Sequence, residues 1–335
     1  MLLVHQSELL LENLKLHIHI TKWQMTMEYH NISNNSLFVR TSAVASSTVL
    51  GLCCALGVPG NVAALVMLAQ HLKDDSFTPK LMLSLAVSDL LSLIFLPVWI
   101  NALLNGWVFG QGLCKLFSYV VYWSLYSSVL SVTLLSVQRY LQVLYPQRWA
   151  KLGQKGQKWL IFGIWTLSGA LGSYALYYRN VKQKAGLLRC YQDYKNKQEK
   201  IVILFVETLV MFFVPVFSLL CFYLQLHQRI NQSVSFRSHR LTKLSVRIVV
   251  AFFIFGTPAM INNLVLMAMP WESDGSNNIT GALFFINSCV NPFLYAFSAR
   301  TLRCRRKQHS DQPQENLKVS KHTQTKNVHF LYSSD

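Results

Sequence analysis

Three ionisable side chains stand inside or at the edge of long apolar runs. Asp89 is the single charge between Leu81 and Gln111, and Glu207 is the single charge between Ile201 and Gln228. Arg139 closes the charge-free run Leu116–Gln138. A carboxylate held in hydrocarbon is expensive, which makes each one a functional-site hypothesis by default. A lone carboxylate can hold a hard cation, accept hydrogen bonds from ligand hydroxyls or pair with an amine. The apolar runs contain no clustered nucleophile and no histidine pair at metal-ligand spacing, so the chemistry on offer is binding, not catalysis. The chain is not read as an enzyme.

Those residues need elements to position them, and composition says which. Only 13% of the 335 residues are charged, against about 25% in soluble domains. Besides the three runs above, Thr41–Gln70, Trp159–Tyr178, Ile248–Trp271 and Gly275–Ala299 carry no charge. Roughly 20 apolar residues cross a bilayer as a helix. These runs lack the alternation of barrel strands, so seven transmembrane helices are predicted. Pro59, Pro97, Pro215, Pro258 and Pro292 fall inside them; membrane helices tolerate such kinks. The expected organisation is an outer tail over residues 1–40, a seven-helix bundle over 41–299, and a cytoplasmic helix and disordered tail over 300–335.

The net charge of +17 is clustered. Arg148, Lys151, Lys155 and Lys158 form one basic loop, Arg229, Arg237, Arg240, Lys243 and Arg247 a second, and Arg300, Arg303, Arg305, Arg306 and Lys307 follow the last span. The positive-inside bias makes these cytoplasmic and puts the N-terminus outside. Clustering beside helix ends argues against nucleic acid as the partner. The outer loop Arg179–Lys200 is the exception, with seven basic residues against Asp193 and Glu199.

Asn31 and Asn34 head glycosylation sequons in the outer tail. Cys114 and Cys190 share the oxidising side, and a disulfide between them would pin the outer loop over the bundle mouth. Cys304, in a basic membrane-proximal segment, is a candidate for palmitoylation. Ser298–Lys307 reads as a short amphipathic eighth helix lying on membrane lipids. Ser310, Ser320 and Thr323, among other hydroxyls of the polar tail, are candidate phosphorylation sites for arrestin capture. Tyr119, Tyr122, Trp123, Tyr174, Tyr177 and Tyr178 cluster at the outer ends of spans three and four. They read mostly as an interfacial belt, with Tyr126 alone facing a ligand.

Several motifs carry a family resemblance. Gly60-Asn61 lies in span one, Leu85-Ala86-Val87-Ser88-Asp89 in span two, and Trp107-Val108-Phe109-Gly110 precedes Cys114. Arg139-Tyr140 ends span three, Trp165 lies in span four, Pro215 with Tyr223 in span five, and Asn291-Pro292-Phe293-Leu294-Tyr295 closes span seven. In this order the chain resembles rhodopsin-like G-protein-coupled receptors. Tyr126-Ser127-Ser128-Val129-Leu130, and Phe205-Val206-Glu207 with Pro215 eight residues on, look like leukotriene B4 receptors and related chemoattractant receptors.

The resemblance implies roles. Asp89 with Ser128, Asn287 and Ser288 would hold an allosteric sodium ion, with Asn61 and Asn291 nearby. Arg179, Tyr126 and Glu207 would meet the ligand, and Ser118 stands where some leukotriene receptors carry histidine. Arg139, Tyr223 and Tyr295 would serve coupling to a heterotrimeric G protein of the inhibitory type. The setting is the plasma membrane. Two departures stand out: Gln138 replaces the acidic residue that usually restrains Arg139, and Phe255-Gly256-Thr257-Pro258 replaces Cys-Trp-x-Pro in span six. Elevated basal signalling is expected from the first.

Three functions remain open at this stage. They are a receptor for a leukotriene B4-like lipid mediator, a peptide chemoattractant receptor using Glu207 for an amine, and a ligand scavenger without G-protein coupling. A retinal protein is excluded, because Gly275–Ala299 contains no lysine for a Schiff base.

Overall fold

The computed structural model describes residues 36–70, 77–184, 186–218, 220–222, 236–268 and 274–292. Asn31, Asn34, Tyr223, Tyr295, Cys304 and the expected eighth helix lie outside the described residues, as does the cytoplasmic tail.

Over the described residues, all seven predicted spans coincide with helix. Span one is Ser36–Ala69, and span two runs as Phe77–Leu93 and Leu96–Asn105. Span three is Gly110–Leu144, and span four is Gly153–Gly172 continued by Tyr174–Tyr178. Span five begins as Lys197–Thr208, span six is Phe236–Ala268, and span seven begins as Asp274–Phe284 and continues over 286–292. Among the described residues, five helices are long and apolar enough to cross a membrane, by length and composition. The described part of span six contributes the shorter apolar stretch Phe253–Ala268.

Most helices start before the apolar run does, because hydrogen bonding along the backbone continues into the polar flanks. Span one begins at Ser36, inside the expected outer tail. Two irregularities fall beside proline, which removes a donor and crowds the carbonyl four residues back, whereas Pro59 and Pro258 lie inside unbroken helices. Pro97 sits in the first turn of the second half of span two. In span five a π-helical segment, Leu209–Phe213, lies just before Pro215; this widening accommodates the proline ring.

Hydrocarbon offers no hydrophobic drive between helices, so close approach relies on small residues and interhelical hydrogen bonds. A Cβ on Gly172 would lie 3.0 Å from the Trp123 backbone nitrogen, and one on Gly60 3.1 Å from Pro292 Cβ. Trp165 Nε1 donates to Ser84 Oγ at 2.9 Å, and Trp123 Nε1 donates to the Trp165 carbonyl at 2.8 Å, tying spans two, three and four. Asn61 Nδ2 donates to the Ser288 carbonyl at 2.9 Å, tying span one to span seven. Val44, Leu52, Leu56 and Val66 of span one are exposed apolar residues, as lipid contact requires. We expect Gly172→Val to push span four off span three at a cost of about 1–3 kcal/mol. The check is thermal unfolding of detergent-purified receptor, where an unchanged midpoint would contradict the packing.

The outer loop is a hairpin. Strand β1 (Arg179–Lys184) pairs antiparallel with β2 (Leu187–Gln192), Arg179 opposite Gln192. The Cys114–Cys190 disulfide fastens β2 to the start of span three. Gly106, at φ 89°, turns the chain out of span two, and Trp107 N then donates to the Leu188 carbonyl at 2.7 Å. Exposed Lys182 pairs with Asp193 at 2.7 Å, and that carboxylate raises the Lys182 amine above its ordinary value.

Candidate functional site

Three polar layers lie along the bundle. The outermost is organised by Arg179, placed at the first residue of β1 where span four ends. Its Nη2 donates to the Tyr122 hydroxyl at 3.0 Å and its Nη1 to the Cys190 carbonyl at 3.4 Å. The guanidinium lies 5.5 Å from the Tyr122 ring centroid and 5.9 Å from that of Trp99. Its Nε is buried without a hydrogen-bond partner, as is Trp99 Nε1. Two donors on neighbouring side chains are therefore left without an acceptor among the described residues.

Glu207 lies at the other end of a tyrosine series. The Tyr122 and Tyr174 rings are 5.0 Å apart, and Tyr174 Oη donates to Glu207 Oε2 at 3.4 Å. Asn263 of span six lies beside Glu207, and its Nδ2 donates to Thr208 Oγ1 at 3.3 Å. Tyr126 is fully buried within electrostatic reach of Glu207, and its hydroxyl has no partner. The structure thus brings Arg179, Tyr126 and Glu207 into one cluster linked through Tyr122 and Tyr174. Ser118 sits beside it and packs under the loop, 1% exposed with its hydroxyl 3.8 Å from Cys190 Sγ.

The belt expectation needs correction for three aromatics. Tyr122 and Tyr174 bind Arg179 and Glu207, and Trp123 hydrogen-bonds span four. Tyr177, 54% exposed, fits the belt. Trp99, Tyr122, Tyr174 and Asn263 stand in this cluster, and the sequence alone did not assign them to it. A signal for Trp99 was available: it lies two residues after Pro97, where the helix is re-aimed.

The middle layer surrounds Asp89, which is 0% exposed. Ser128 Oγ donates to Oδ1 at 2.9 Å, Asn291 Nδ2 donates to Oδ2 at 2.7 Å, and Ser288 lies beside the carboxylate. Asn61 Oδ1 is buried without a partner, and Asn287 has neither amide atom satisfied. Asn287 therefore makes no hydrogen bond to Asp89 here. The donor set is a carboxylate with hydroxyl and amide oxygens, and some of those oxygens are orphaned. That chemistry fits a hard monovalent cation better than a transition metal. Among the described residues, no group of three His, Cys, Asp or Glu could hold a metal ion.

The innermost layer is the base of span three. Gln138 is 0% exposed; its Nε2 donates to Thr78 Oγ1 of span two at 2.8 Å, and its Oε1 has no partner among the described residues. Arg139 continues the span-three helix, and its side chain lies outside what is described. Tyr140 packs on Phe222 of span five with centroids 4.6 Å apart. In span six Gly256 is buried, presenting no side chain at the position expected of a bulky switch.

A helical bundle with a disulfide-fastened outer hairpin, a buried mid-span carboxylate cluster and an arginine at the inner end of span three defines a class. The chain belongs to the 7 transmembrane receptor (rhodopsin family), which matches residues 60–295. It is a multi-pass G-protein-coupled receptor of the plasma membrane, with an extracellular ligand and a heterotrimeric G protein as its partners, and it is not an enzyme. Within that family it groups with chemoattractant receptors. It is 32% identical to leukotriene B4 receptor 1 of Mus musculus, over 74% of each chain. It is 30% identical to the Homo sapiens protein of that name over 78% of each chain. It is also 30% identical to C-X-C chemokine receptor type 2 of Mus musculus, over 74% of this chain and 73% of that one.

Proposed function

We propose that the receptor binds an amphiphilic lipid acid resembling leukotriene B4 and signals through an inhibitory-type G protein. The carrying observation is the half-buried Arg179 with its buried, unpartnered Nε beside the unpartnered indole N–H of Trp99. A half-buried guanidinium with a spare donor suits a carboxylate, which accepts two parallel hydrogen bonds from it. Ligand hydroxyls find Tyr126 and Glu207 deeper in the pocket, where one donates and accepts and the other accepts. The similarity to leukotriene B4 receptors supports the same ligand class.

The peptide alternative rests on Glu207, which could pair with an amine, and on the similarity to a chemokine receptor. The tyrosine series favours the acid, because Glu207 already accepts a hydrogen bond from Tyr174.

Agonist shifts the receptor only by binding the active arrangement more tightly than the inactive one. Glu207 touches span four through Tyr174 and span six through Asn263. A ligand hydroxyl at Glu207 therefore bears directly on span six, without the bulky residue that Gly256 lacks. Outward swing of span six would then open the inner end, where Arg139, Tyr223 and Tyr295 receive the G protein.

Asp89, Ser128 and Ser288 would hold sodium, with Asn287 completing the oxygen set after a side-chain rotation. A cation held by these residues would supply a counter-charge to the Asp89 carboxylate, and so would favour the inactive state. Linkage makes its effect on agonist reciprocal. Saturation binding of leukotriene B4 to membranes should therefore weaken about 5- to 20-fold when sodium chloride replaces choline chloride. Asp89→Asn should remove that difference. Absence of saturable leukotriene B4 binding in either salt would refute the lipid reading, and binding indifferent to sodium would refute the coupling alone.

A further inference from the structure

Arg179 and Gln192 stand opposite each other across the outer hairpin, one opening β1 and the other closing β2. Their side chains converge on one atom. Arg179 Nη2 donates to the Tyr122 hydroxyl at 3.0 Å, and Gln192 Nε2 donates to the same oxygen at 3.3 Å. The amide is oriented from its other end, where Tyr194 Oη donates to Gln192 Oε1 at 2.9 Å. With its oxygen taken, the amide can offer Tyr122 only N–H. A phenolic oxygen has two acceptor lone pairs and one proton. Two N–H donors engage the Tyr122 oxygen, so its proton is offered neither to Arg179 nor to Gln192.

The surroundings of Arg179 are therefore rich in donors. Its own Nε and Trp99 Nε1 have no acceptor among the described residues. Asp193, the residue after Gln192, has its Oδ2 held by Lys182 at 2.7 Å and by Asn180 Nδ2 at 3.2 Å. We propose that Gln192 determines specificity for an acid, by presenting a donor where a carboxylate of the same shape would present an acceptor. A glutamate side chain there would take the Tyr122 proton and give Arg179 a protein counter-charge one hydroxyl away, leaving a ligand carboxylate opposed by a like charge. The inference deepens the lipid-acid reading and rests on it.

The test is the ligand-induced rise in unfolding temperature of purified full-length receptor, titrated with leukotriene B4 or with its C1 primary alcohol. The alcohol keeps the chain and the other hydroxyls but carries no charge. Wild type should prefer the acid about 10- to 100-fold. In Gln192→Glu that preference should fall to about one, with the acid losing affinity and the alcohol keeping it within about threefold. Retained alcohol binding shows that the fold of the variant is intact. Tyr194→Phe, which removes the bond orienting the amide, should lower the preference about threefold. A wild-type preference in Gln192→Glu, or equal loss of both ligands, overturns the role of Gln192 alone. Absence of any rise with leukotriene B4 in wild type overturns the lipid reading, and this inference with it.

Discussion

Arg179→Ala is expected to weaken leukotriene B4 binding by two orders of magnitude or more. Truncating one member of a buried, hydrogen-bonded charge pair costs about 2–5 kcal/mol, and each 1.4 kcal/mol is tenfold in affinity. The upper part of that range applies where the ligand carboxylate stays in the pocket without a counter-charge. Arg179→Lys separates charge from shape. The ammonium keeps the attraction but loses the fork that can serve Tyr122, the Cys190 carbonyl and the ligand together. An intermediate loss, roughly tenfold, is therefore expected. Surface staining should remain for both variants, since the disulfide holds β2 to span three independently of the guanidinium. Radioligand competition on intact cells measures the effect. Wild-type affinity in Arg179→Ala would remove Arg179 from the site.

The second large effect concerns ligand-independent activity. The family resemblance assigns the residue before Arg139 a charged restraint on it, and this chain has Gln138. The structure turns that side chain toward span two, where its amide donates to Thr78 and its oxygen is left without a described partner. A neutral side chain committed elsewhere is a weak brake on Arg139. Hydrogen bonds to charged groups contribute about 1.5–3 kcal/mol against about 0.5–1.5 for neutral ones. Restoring the acid with Gln138→Glu should thus lower basal nucleotide exchange roughly tenfold. Inhibition of cyclic AMP in cells without agonist reports it. Wild-type activity equal to mock-transfected cells, or no decrease in Gln138→Glu, would contradict this account of Gln138.

The bundle was largely legible in the sequence, because hydrocarbon forbids unpaired backbone and forces long apolar runs into helices. Asp89 and Glu207 were legible for the same reason, being costly where they stand. Azimuth was not legible. Tyr122 and Tyr174 have the composition of interfacial anchors, and only the approach of span four to span three turns them inward, at Gly172 against Trp123. The segment Arg179–Gln192 was read as a basic loop pinned by Cys114 and Cys190, but not as a hairpin, because its register depends on pairing between its two halves and on Trp107 reaching Leu188. Gln138 and Thr78 are 60 residues apart in sequence, and nothing local to either marks the pair.

Pocket and G-protein face are held to be two ends of one movable bundle. Guanine-nucleotide exchange measured with purified full-length receptor in nanodiscs and an inhibitory-type heterotrimer tests that claim most directly. Leukotriene B4 should raise the exchange rate above the ligand-free rate, and Arg179→Ala should abolish the increase while leaving the ligand-free rate in place. Saturable binding of leukotriene B4 to the same preparation with no change in exchange would contradict the account and identify a scavenger of the ligand.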